Sequence, residues 1–139
     1  VNRTIKAATI SCLLAIAGVI ALAFAPAGKA QDTRLAVFDG IEKGQWSIRF
    51  RDGSPPRSIC VRSGRELLKL KHGKSGCSNV IVANEPDMAT VQYSCPGDGY
   101  GRTTIRRETR ALLQLSSQGI ANERPFQVYA EARYQGACQ

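Results

Sequence analysis

The sequence predicts an all-β domain with minor α content. It is an antiparallel up-down meander curling into a barrel or half-barrel, with one short inserted helix and two disulfides. Three observations carry this reading. Short segments of alternating apolar and polar residues recur along the chain, with Gly, Pro, Asn and Asp between them. One segment, Ser63–Lys71, breaks the alternation with a helix-start signal. Four of the five cysteines, Cys60, Cys77, Cys95 and Cys138, follow an N-terminal segment with the order of an export signal.

That segment is residues 1–30. Arg3 and Lys6 precede an uncharged run, Ala7–Phe24, rich in Ala, Leu and Ile. Pro26 then breaks any helix, and Gly28-Lys29-Ala30 places small residues before a cut that leaves Gln31 first. A cut after Ala27 is the alternative, and a retained membrane anchor is the competing reading. Residues 31–139 are then one domain. Losing Arg3, Lys6 and Lys29 from the 19 Lys and Arg, against 11 Asp and Glu, leaves a mature charge of about +5.

The elements follow in order. Leu35, Phe38 and Ile41 recur at a spacing that suits one or two helical turns. Gln45–Arg51 alternates, with Trp46, Ile48 and Phe50 facing one way. Asp52-Gly53 and Pro55-Pro56 make a turn into a strand at Arg57–Arg62. Ser63-Gly64-Arg65-Glu66 is a capping box that predicts a helix over Gly64–Lys71, anchored by Leu67, Leu68 and Leu70. Cys77–Ala83 and Ala89–Cys95 form a hairpin around Asn84–Asp87. Arg102–Thr109 and Leu112–Gln118 form another, with Arg102, Thr104, Arg106 and Glu108 on a wet face. Phe126–Gln135 closes the chain, with Phe126, Val128, Ala130, Ala132 and Tyr134 on one face. Trp46, Phe50, Tyr93 and Phe126 are the expected centre of the core.

Four cysteines allow three pairings. Cys77 opens one strand and Cys95 closes the next, with Pro86 midway, so a Cys77–Cys95 bridge is expected across the ladder. Cys60–Cys138 is its complement, and Cys60–Cys77 with Cys95–Cys138 is the alternative. Such bridges persist in the periplasm or outside the cell.

Several segments together resemble a known family. They are Gly44-Gln45-Trp46, Arg57-Ser58-Ile59-Cys60-Val61, Cys77-Ser78 and Val91-Gln92-Tyr93-Ser94-Cys95. Ser117-Gln118-Gly119-Ile120, Pro125-Phe126 and Glu131–Cys138 complete the set. The chain resembles the bacterial exported family called domain of unknown function 3617. The resemblance implies a small periplasmic or secreted domain of a Gram-negative bacterium. It implies no activity and no catalytic residues.

Chemistry-bearing groups are sparse. His72, the only histidine, lies between Lys71 and Gly73 and reads as a surface residue. No C-x-x-C pair accompanies it, so neither a metal nor another cofactor is expected. Glu85 and Asp87 flank Pro86 in a turn, and Gly97–Gly101 reads as a hairpin rather than a phosphate loop. The expectation is a non-catalytic envelope protein that binds a partner or an anionic surface. The candidate anion-binding residues are Arg62, Arg65, Lys69 and Lys71, with Lys74 beside them, and Arg102, Arg106 and Arg110. Expected partners are anionic envelope components or a periplasmic protein. Nucleic acid is excluded by export, and membrane contact is confined to a retained leader. The alternatives are a carrier of a small apolar ligand inside the curled sheet and a periplasmic inhibitor of a hydrolase.

Overall fold

Side-chain alternation sorts the strands into one wet face and one dry face. The computed structural model describes residues 34–73 and 76–139, so the expected leader, residues 1–30, and Lys74 lie outside the described residues. The strands are β1 (Gly44–Phe50), β2 (Arg57–Val61), β3 (Ser78–Asn84), β4 (Met88–Cys95), β5 (Gly99–Thr109), β6 (Leu112–Ala121) and β7 (Arg124–Gly136). They form one seven-stranded sheet in the order β2-β1-β7-β6-β5-β4-β3. Every neighbouring pair is antiparallel.

The fold is therefore the expected all-β, curled antiparallel sheet, with two refinements. From β3 to β7 the chain is a plain meander, but the β1–β2 hairpin joins at β7. The sheet is also not closed: β2 and β3 are its two edges, which makes a half-barrel. Inner positions carry the core. Trp46, Ile48, Val61, Leu67, Ile105 and Leu113 are all 0% exposed, so no water-sized space touches them. Phe50 and Phe126 pack against this core while only partly buried, and Tyr93 is 1% exposed.

The inserted helix is a correction. Only Arg65–Leu67 is helical, as a single 3-10 turn. Leu67, Leu68 and Leu70 fit a helical stripe, but all three are buried as the chain crosses from β2 to the inner face. The Leu68 carbonyl accepts from the Thr103 hydroxyl at 2.7 Å, and the Leu70 carbonyl accepts from Arg57 Nη1 at 2.7 Å. These bonds tie the segment to β5 and β2 instead of to its own next turn. The capping box is half formed. Glu66 accepts from the amides of Arg62 and Ser63, but the Ser63 hydroxyl accepts from the Arg65 amide rather than that of Glu66. Gly64 sits at φ 89° with the Phe38 ring against it, where a Cβ would lie 2.3 Å from the ring. No other residue type fits that backbone and that contact together.

The N-terminal segment closes one end. Ala36–Phe38 is one 3-10 turn. The Asn84 side chain accepts from the Ala36 amide and donates to the Arg34 carbonyl. Arg107 reaches the carbonyls of Asp39 and Pro86, which explains a cation on an otherwise dry register of β5. Two bridges complete the frame. Cys77–Cys95 joins opposed ends of β3 and β4, where Ser78 pairs with Ser94. Cys60–Cys138 ties edge strand β2 to the tail beyond β7, passing the start of β1.

Candidate functional site

Thr103 turns inward to Leu68, so Arg102 and Thr104 turn outward. Register then maps the outer face in rows. Gln92, Arg102, Gln118 and Gln127 are successive partners across β4, β5, β6 and β7. The next row is Thr90, Thr104, Ser116 and Tyr129. The row after it is Met88, Arg106, Gln114 and Glu131, with Arg49 of β1 beyond. This face is a field of amides and hydroxyls with a few cations. Two tyrosines stand out of it, Tyr100 at 54% exposure and Tyr129 at 49%.

Three shallow hollows lie along the face. One of about 340 Å³ is bounded by Val80, Gln92 and Tyr100. A second, of about 250 Å³, shares Gln92 and Tyr100 and continues to Arg102 and Gln118. A third, of about 240 Å³, lies between Arg106, Gln114 and Tyr129. Tyr100 is the common wall of the first two.

The charges on this face differ in kind. Arg106 is paired with Glu108, and Arg110, in the β5–β6 turn, with Glu42. The Arg133 guanidinium, hydrogen-bonded to Glu131, holds that carboxyl below its ordinary value, aided by Gln114. Arg51 donates to the Gln114 side chain. Arg102 has no ion pair among the described residues, so its fork of donors is available to an anion.

The sequence-predicted cations do not form one surface. Arg62, Arg65, Lys69 and Lys71 lie on the segment that packs against the inner side of the sheet through Leu68 and Leu70. Arg102 and Arg106 are on the opposite side. Lys71 is near Asp52, whose carboxyl is lowered chiefly by the Ser54 amide, with a smaller contribution from Lys71. Cys60, Cys77, Cys95 and Cys138 are structural staples. Sequence reasoning missed Tyr100, Tyr129 and the glutamine row. The signal was present, since Tyr129 falls on the wet register of a strand whose dry register is Phe126, Val128, Ala130 and Ala132.

His72 corrects the surface reading, being 5% exposed. Its Nε2 lies 2.9 Å from the Ile120 carbonyl, an atom that only accepts, so Nε2 carries the proton. Nδ1 then accepts from the Tyr93 hydroxyl at 3.1 Å. Gly101 leaves room for that hydroxyl, which would lie 2.4 Å from a Cβ there. Thr103 spends its proton on Leu68, so the Ser117 hydroxyl donates to Thr103 at 2.7 Å. Ser117 is 4% exposed, and its proton is directed at Thr103. This arrangement holds the crossing segment in place and lacks the serine-to-imidazole bond of a nucleophilic pair. Among the described residues no group of His, Cys, Asp and Glu is arranged to hold a metal ion.

No protein-family model matches the chain, and neither a curated protein nor a solved structure is significantly similar to it.

Proposed function

We propose that the protein is an exported, non-catalytic envelope protein that binds anionic envelope material through the outer face of its sheet, around Arg102. Arg102 carries the reading. Among the described residues it has no ion pair, and it is flanked by Gln92 and Gln118, which offer hydrogen bonds and no competing charge. The order of residues 1–30 supports export, as do two disulfides, and the family resemblance points the same way. The mature charge of about +5 favours an anionic partner.

The carrier reading gains less. Its ligand would need the inner face, where Trp46, Ile48, Ile105 and Leu113 touch no water-sized space. The test is retention of the exported protein on an isolated envelope fraction at low and high salt. Binding should weaken as salt rises, because exposed charges are screened beyond about 10 Å at 0.1 M. Retention that ignores salt would contradict the reading.

A further inference from the structure

We infer that the anionic ligand of the outer face is an acidic polysaccharide rather than a lipid surface. This rests on the reading above and names the ligand class of the same site.

The composition of the face makes the choice. A lipid surface selects clustered cations and apolar side chains that can insert. Here Arg102 stands among neutral donors and acceptors: Gln92, Gln118 and Gln127 in its own row, Thr104 and Ser116 in the next, with Val80 beyond Gln92 as the exposed apolar side chain of that row. A carboxamide both donates and accepts, as a sugar hydroxyl does. Exposed aromatic rings present flat, polarisable faces that suit the C–H side of a pyranose, and the face carries two of them, Tyr100 and Tyr129. The Tyr129 hydroxyl is fixed by Gln127 Nε2 at 2.9 Å.

The dimensions fit a polymer. Tyr100 and Tyr129 are two strands apart across the sheet and four residues apart along it, a separation of about 17 Å. Arg102 and Gln118 lie between them. A single sugar cannot touch both rings, whereas an extended oligosaccharide can, placing one carboxylate on Arg102 as a bidentate pair. The side chains rise from paired strands, so little ordering is required on binding.

The test is affinity electrophoresis of the exported protein through gels containing polygalacturonate. Its neutral methyl ester and phosphatidylglycerol vesicles are the comparison probes. Polygalacturonate should retard the protein, and the methyl ester should retard it less. Arg102→Gln and Tyr100→Ala should each weaken binding about tenfold, with Lys43→Gln, an exposed charge before β1, unchanged. Far-ultraviolet circular dichroism confirms that each variant is folded. Vesicle binding without polygalacturonate binding overturns the ligand assignment and leaves the anionic-surface reading standing. So does a Tyr100→Ala protein that binds polygalacturonate like the parent. Failure to bind either anionic probe overturns both.

Discussion

The Thr103 hydroxyl donates to the Leu68 carbonyl across 2.7 Å, joining the middle of β5 to the segment that leads from β2 to β3. Ser117 on β6 then donates to Thr103, so two strands and the crossing segment share one buried polar chain. Thr103→Val keeps the shape and removes both bonds. It should destabilise the protein by about 1–3 kcal/mol, since a buried carbonyl and a buried hydroxyl lose their partner. Thermal unfolding checks this; an unchanged midpoint would place the hold elsewhere.

Burial pushes the Tyr93 hydroxyl above its ordinary value of 10.0, the Asp98 carboxylate pushes the same way, and the neighbouring Ser117 and Thr103 side chains act against them. A group raised in the folded state stabilises below the unfolded value, and that contribution is lost as pH rises through the folded one. Stability should therefore fall above pH 10. Tyr93→Phe, though less stable at pH 7, should lose less over the same range. Chemical denaturation at pH 7 and at alkaline pH measures the difference.

The two bridges close loops of different size, with sequence separations of 78 and 18. Chain entropy assigns about 4.5 kcal/mol to Cys60–Cys138 and about 3 kcal/mol to Cys77–Cys95. Replacing the first pair by serine should lower the unfolding midpoint more than replacing the second. Equal losses would mean that local geometry outweighs loop length.

Glu66 is desolvated, which raises its carboxyl, but the amides it accepts from, its own and those of Arg62 and Ser63, outweigh that and lower it below 4.5. A lowered carboxyl stabilises above its unfolded value, and the contribution is lost as pH falls through the folded one. Glu66→Gln should thus be less stable than the parent at pH 7, with the gap closing below pH 4.5. Midpoints for both proteins across that range provide the check.

Much of the sheet was legible because alternation is local. The dry register of β1 is written in Trp46 and Ile48, and that of β7 in Val128, Ala130 and Ala132. The Cys77–Cys95 bridge was legible because a short hairpin is nearly symmetric about its turn. What escaped depends on distant partners. Nothing beside His72 reveals that Tyr93 and Ile120 enclose it. Nothing near Leu68 says that Thr103 will take its carbonyl and prevent a helix. The placement of β1 beside β7 is likewise a pairing of chain ends. Both Arg62 and Arg102 are candidate anion-binding residues by sequence, which does not show that they occupy opposite sides of a sheet.

That separation supplies the most direct test of the account. Arg102→Glu and Arg62→Glu change charge equally, on different sides of the protein. Retention on the isolated envelope fraction at low salt should collapse for Arg102→Glu and persist for Arg62→Glu. Loss for Arg62→Glu with retention for Arg102→Glu would contradict the assignment of the outer face.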